Sequence, residues 1–208
     1  MKRNLSLGAI ILVAVLILLM SLYDKHTPEE IEYIKKIENY RTEKDSSFKS
    51  SPSSPFNYKG KVEFHSLKYF DVDPEFAFKS KLFEYEPKDT ITYFGTKGEE
   101  RTAVRYGYVQ FKYHETLYKV NVYQGSSRNG EIYHMIWYTD KTTNKESYGV
   151  GRYLDFEVEN DPHYLYTIDF NLAYNPYCAY SKEYSCAIPT KEDYIDLEIT
   201  AGEQKFHD

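Results

Sequence analysis

Between residues 76 and 199, apolar side chains recur at every second position in short runs, a period that suits strands rather than helices. Phe76, Phe78 and Leu82 alternate with Ala77, Lys79 and Lys81. Val109, Phe111 and Tyr113 alternate, and across a turn near His114-Glu115-Thr116 so do Tyr118, Val120 and Val122. Ile132 to Trp137 is a mostly apolar run. Leu154, Phe156 and Val158 form a further set, then Tyr164, Tyr166, Ile168 and Phe170, and Ile195, Leu197 and Ile199 close the series. Such segments, separated by Gly, Asn, Asp and Ser turns, bury their apolar faces against one another. The expected fold is mainly β, an antiparallel β-sandwich or partly open barrel. Neither a repeat nor a second domain is evident.

Two segments of different character precede the strands. Leu5 to Leu22 carries no charge and follows Lys2 and Arg3. As a helix it spans about 27 Å, close to the hydrocarbon thickness of a bilayer. A cleavable signal peptide is the competing reading, but Leu19-Met20-Ser21-Leu22-Tyr23 fits an A-x-A-like site poorly. No cysteine follows the run, which closes the lipid-anchored route. The expected organisation is a cytoplasmic tip and transmembrane anchor over 1–23, an amphipathic helix and Ser/Pro linker over 24–56, and one extracytoplasmic β domain over 57–208. The basic start places the N-terminus inside a cytoplasmic membrane and the domain outside, in the periplasm if an outer membrane is present. Without Lys2 and Arg3 the net charge of −6 becomes −8. An acidic domain is a poor partner for nucleic acid or anionic lipid.

Thr27, Pro28 and Glu30 form a helix-start signal, with Thr27 as cap and Glu30 completing a capping box. Ile31, Ile34 and Ile37 then recur at helical spacing, which predicts a helix from 28 to about 47 whose isoleucine stripe docks on the domain. The Ser/Pro stretch 46–56 ends it. Of the 208 residues, 23 are tyrosine. Tyrosine packs its ring in a sheet while its hydroxyl reaches water, so strand surface accounts for much of that abundance; an aromatic platform for sugars would look similar.

Two polar-dense stretches, 146–158 and 166–180, draw attention. If they pair as an antiparallel hairpin, the pleat requires their apolar sets to share a face. The simplest register pairs Val158 with Tyr164, which sets Phe156 opposite Tyr166, Leu154 opposite Ile168, Arg152 opposite Phe170 and Tyr153 opposite Asp169. Arg152, Asp155, Asp169, Asn171, Tyr174 and Asn175 then converge at one end of the sheet. A guanidinium on the apolar side must find acceptors. The corner is either a ligand pocket built on Arg152 or a buried network that fixes the chain where a strand becomes a loop.

Cys178 and Cys186 enclose seven residues and are the chain's only cysteines. In an oxidising compartment a short disulfide loop is the expected state, with reduced structural thiols and a reactive cysteine as the other readings. No zinc-ligand spacing accompanies them, and His26, His65, His114, His134, His163 and His207 are scattered singly. No P-loop, nucleophile elbow, zincin or dinucleotide fingerprint occurs, so no cofactor or metal is implied.

The segments YRTEKDSSF (40–48), SPSSP (51–55), LKYFDVDP (67–74), GRYLD (151–155), DFNLAYNPYCAY (169–180) and AGE (201–203) occur in this order. Together they resemble the bacterial family catalogued as domain of unknown function 1684. The family is typically proline-rich after the second cysteine, where this chain has Ala187-Ile188-Pro189. The resemblance implies a domain and no reaction. The expected function is therefore a binding or structural module of the envelope, whose partner at the 146–180 corner is a small polar ligand, a glycan or an envelope protein. The alternative is a small hydrolase using Asp155, Asp169 or Glu146, with Arg152 as electrophilic stabiliser.

Overall fold

The computed structural model describes residues 26–58, 62–127 and 129–207. The apolar run 5–22, and with it the expected anchor, lies outside the described residues. Among the described residues no helix is long and apolar enough to cross a membrane.

Helix α1 (Pro28–Ser50) begins as its sequence signal requires. Glu30 N–H donates to Thr27 Oγ1 at 3.2 Å and Thr27 N–H to Glu30 Oε2 at 2.7 Å, so two donors orphaned at the helix start are satisfied reciprocally. The helix docks on the domain, but on a face rotated from the isoleucine stripe. Ile37 is buried, whereas Ile34 is half-buried and Ile31 exposed. The docking face carries Tyr33, Arg41, Lys44 and Phe48, whose rings and polar ends reach acceptors and aromatic partners in the domain. Tyr33 OH donates to Asp169, Arg41 Nη1 to the Phe70 carbonyl at 2.8 Å, and Lys44 Nζ to Glu203. Tethering by buried polar partners, beyond apolar burial, selects the face that turns inward.

The strands are β1 (Ala77–Ser80), β2 (Phe83–Phe94), β3 (Glu100–Tyr113), β4 (Thr116–Ser126), β5 (Ile132–Asp140), β6 (Arg152–Phe156), β7 (Tyr166–Asp169) and the two-residue β8 (Tyr194–Ile195). Strands β2 to β6 follow one another antiparallel in a curled sheet that forms a half-barrel, β8 adds to β5 in parallel, and β1 pairs with β7 in a separate two-stranded sheet. The fold is thus mainly β, as the alternation implies. The β3–β4 hairpin turns at His114, which takes φ of 50°, and sets Val109 against Val120 and Phe111 against Tyr118.

The expected 154–158/164–168 hairpin does not form. Strand β6 pairs with β5, placing Leu154 beside Ile136 and Phe156 beside His134, while β7 pairs with β1, Ile168 lying beside Phe78. The shared apolar face survives the change of partner. Leu154, Phe156, Tyr166, Ile168 and Phe170 all enter one core, and the rings of Phe156 and Tyr166 stack at 4.7 Å across the seam between the sheets. Parity specifies which face is buried; it does not specify which strand lies alongside. Ile195, Leu197 and Ile199 likewise form no full strand: beyond Ile195 the chain is irregular, although Ile199 is fully buried.

One irregularity gives the sheet a second buried face. The β3–β4 register shifts between Arg105 and Gly107, leaving Tyr106 as an extra residue. Such a bulge reverses the parity of the strand. Val109 and Phe111 therefore face the main core, whereas Ala103 joins Tyr93, Tyr123, Trp137 and Tyr153 on the opposite side.

Tyrosine is more interior than strand-surface packing requires, and Tyr123, Tyr138 and Tyr180 are almost fully buried. Burial holds the Tyr123 and Tyr180 hydroxyls far above the ordinary tyrosine range, and the facing carboxylates of Asp193 and Glu203 push the same way. Both contribute stability that is fully present below the unfolded value of about 10 and lost above it, because only the unfolded chain can then ionise. An alkaline titration should show these tyrosines ionising, by absorbance at 295 nm, together with loss of near-ultraviolet circular dichroism above about pH 10. Smooth ionisation within an intact fold would contradict their burial.

Candidate functional site

Arg152 follows Gly151, whose φ of 95° turns the chain into β6. Its side chain is 1% exposed. Nη2 donates to Asp140 Oδ2 and to the Ile199 carbonyl, both at 2.8 Å, and to Thr142 Oγ1 at 3.3 Å. Nη1 donates to the Ala201 carbonyl and, at 3.5 Å, to that of Glu203. The rings of Phe70 and Tyr138 lie 5.6 and 5.4 Å from the guanidinium carbon. Arg152 thus ties the C-terminal segment to β5, where buried charge is matched by charge and carbonyls.

Asp169, Asn171 and Asn175 also serve as ties. Both Asp169 oxygens lie 2.8 Å from Tyr33 OH, and Oδ1 accepts the Asn171 N–H at 3.0 Å. Asn171 clamps residue 73 through both backbone groups, Nδ2 donating to the carbonyl at 2.7 Å and Oδ1 accepting the N–H at 2.9 Å. Asn175 Nδ2 donates to the Gln204 carbonyl at 2.7 Å, and its N–H to Glu203 Oε2 at 2.9 Å. Glu203, buried, also accepts from Tyr180 OH and pairs with Lys44 at 2.5 Å.

The two remaining candidates, Asp155 and Tyr174, line open space. An aromatic cleft of 560 Å³ lies on the sheet face opposite the main core. Its floor descends from strand parity: Met135 pairs with Asp155 and Trp137 with Tyr153, all pointing away from Ile136 and Leu154. Tyr40 and Lys44 of α1 form one wall, and the loop segments around Tyr177 and Cys186 form another. The floor is firmly held. Trp137 stacks on Tyr123 at 4.3 Å, and its Nε1–H donates to Asp193 Oδ2 at 3.1 Å. Asp193, buried, also accepts from Tyr123 OH at 2.7 Å, Asn121 Nδ2 at 3.1 Å and Thr190 N–H at 2.8 Å.

Two cations border the cleft, and each has a carboxylate: Lys44 pairs with Glu203 and Arg101 with Glu99. Asp155 accepts a hydrogen bond from Tyr174 OH at 2.6 Å and is exposed. Among the described residues no Lys, Arg or His forms an ion pair with it. Burial, then the Asp155 charge, raises the Tyr174 hydroxyl above the ordinary tyrosine range. Asp155 and Tyr174 also border a 280 Å³ groove beneath α1, lined by Leu154, Phe156 and Ile168 along the seam between unpaired β6 and β7. The expected hairpin would have closed that seam.

The expected disulfide is absent: Cys178 and Cys186 are free thiols. The Cys178 N–H donates to Cys186 Sγ at 3.2 Å, and Tyr148 OH lies 3.8 Å from Cys178 Sγ. Hydrogen bonding from Cys186 and Tyr148 lowers the Cys178 thiol to about 7, whereas hydrogen bonding to Cys178, with burial, pushes Cys186 up. The loop is pinned without a covalent link. Thr96 N–H donates to the Cys186 carbonyl at 2.9 Å, Cys186 N–H to Thr96 Oγ1 at 3.2 Å, and Tyr153 OH to the Ala187 carbonyl at 2.5 Å.

Trp137, Tyr93, Tyr40, Lys44 and Glu203 belong to this site and were not among the sequence candidates. One signal pointed to the floor. Ile132 to Trp137 is apolar on both parities, the pattern of a strand covered on both faces.

The family model described as "Protein of unknown function (DUF1684)" matches residues 62–204. An uncharacterized protein of Haloarcula marismortui, solved by solution NMR, is 25% identical; the match covers 85% of this chain and 96% of that one with a TM-score of 0.60. No curated protein matches.

Proposed function

We propose that this chain, which belongs to the DUF1684 family of proteins of unknown function, is a binding module whose ligand occupies the aromatic cleft and not the Arg152 corner. The observation that carries the reading is the cleft itself: an apolar, ring-lined opening of 560 Å³ over a floor held rigid by Asp193, within the size range of small-molecule sites. Arg152, satisfied by internal acceptors, is committed to the fold. The hydrolytic alternative then lacks its electrophile, and Asp169 is occupied by Tyr33. Supporting an extracytoplasmic setting, the uncharged run 5–22 behind Lys2 and Arg3 has the length of an anchor with the basic end inside.

Trp137 is the only tryptophan, so its emission reports on the floor of the cleft. The full-length chain, in a non-ionic detergent, is titrated with benzyl alcohol, phenyl β-glucoside and phenyltrimethylammonium. Saturable emission change with at least one is expected, about tenfold weaker in a Tyr40→Ala/Tyr177→Ala variant because two rim rings are removed. Flat titrations with all three would rule out the cleft as a binding site.

A further inference from the structure

We infer that the ligand of this cleft is an organic cation with an alkylammonium head, drawn in by the carboxylate of Asp155 and held over the aromatic rings. The inference rests on the cleft being the binding site and adds the chemical class of its occupant.

Charge balance is the first observation. Of the charged groups around the cleft, Lys44 is matched by Glu203 and Arg101 by Glu99. Asp155 remains, with one neutral donor, Tyr174 OH at 2.6 Å, and no cation among the described residues. The cleft therefore carries one uncompensated negative charge at its floor, where Asp155 sits beside Met135 in the sheet. An anionic occupant meets repulsion there, and a neutral one leaves the charge unmatched.

Ring chemistry is the second. Tyr40, Tyr93, Trp137, Tyr153, Tyr174 and Tyr177 border the space. Aromatic faces attract cations through their quadrupole, and tryptophan and tyrosine do so best. This wall already accepts one: Lys44 Nζ lies 4.9 Å from the Tyr174 ring centroid and 5.3 Å from that of Phe48. A trialkylammonium group presents methyl groups to the rings and spreads its charge, so it loses less hydration on entry than a primary ammonium.

The test compares choline with 3,3-dimethylbutan-1-ol, its neutral isostere, by Trp137 emission on the full-length chain. Choline is expected to bind about tenfold more tightly, and its binding to weaken with added NaCl while that of the isostere does not. Asp155→Asn should reduce the preference to about twofold, and Asp155→Glu should keep most of it; Asp155 is exposed, so neither variant threatens the fold. Glycerophosphocholine distinguishes a lipid head group from a free alkylammonium ion: binding at least as tight as choline identifies the first, weaker binding the second. Equal affinity for choline and its isostere overturns the inference while leaving the cleft a binding site. A cation preference that survives Asp155→Asn overturns it as well. Failure of all aromatic probes would instead remove the underlying reading.

Discussion

Replacing Arg152 by methionine is expected to cost about 3–5 kcal/mol, enough to unfold much of the population of a marginally stable domain. The side chain is 1% exposed, its partner Asp140 is 0% exposed, and removal leaves that carboxylate charged in the interior. Asp140 retains Thr142 Oγ1 at 2.7 Å, Thr143 Oγ1 at 3.1 Å and the Ile199 N–H at 3.1 Å, which soften the loss without neutralising the charge. The carbonyls of Ile199 and Ala201 lose their donor at the same time. Urea denaturation followed by Trp137 emission measures the effect. The Asp140→Asn/Arg152→Met double variant should be less destabilised than the sum of the single changes, because it removes the stranded charge. A loss below about 1 kcal/mol would mean that Arg152 is not part of the fold's buried network and is free for another role.

Gly151→Ala is expected to destabilise by about 3 kcal/mol or more, through backbone geometry alone. Gly151 takes φ of 95°, a region that L side chains rarely enter, and an added Cβ would lie 2.3 Å from the Tyr138 carbonyl oxygen. That oxygen belongs to the strand paired with β6, so relief requires prising β5 and β6 apart. Gly149→Ala is the control. There the nearest atom to an added Cβ is Asn144 Oδ1 at 2.9 Å, the end of an exposed side chain that can swing away. The control should cost less than about 1 kcal/mol. Comparable losses at the two positions would show that the close approach at Gly151 is not what that glycine is for.

These two neighbours illustrate how unevenly the site could be read from the chain. The need of Arg152 for acceptors was legible, since a guanidinium among Leu154 and Phe156 must be satisfied. The acceptors that answer it, Asp140 and the carbonyls of residues 199 and 201, come from segments that no local pattern connects to residue 152. The same limit applies to the 154–168 pairing. Parity correctly grouped Leu154, Phe156, Tyr166 and Ile168 into one core, yet β7 takes β1 as its neighbour, with Phe78 stacked on Phe111 at 4.4 Å. Strand β2 escaped notice because Glu84, Glu86, Pro87, Lys88 and Asp89 interrupt its alternation, as an exposed edge strand permits.

The sequence by itself determined what is local. The Thr27–Glu30 cap, the β3–β4 hairpin and the inward parity of β6 and β7 depend on residues close together in the chain, where periodicity and turn chemistry act. Only the tertiary structure decided which strands adjoin, which face of α1 turns inward and where the chain leaves open space. Asp155 and Tyr174 stood among the polar candidates beside Arg152, Asp169 and Asn171, but of these they alone line the aromatic cleft. The physical reason is that a pocket is what packing leaves unfilled. Its walls here come from α1, β2, β3, β5, β6 and the 174–187 loop, and their meeting is set by the bulge at Tyr106, the unclosed seam between β6 and β7 and the carboxylate of Asp193.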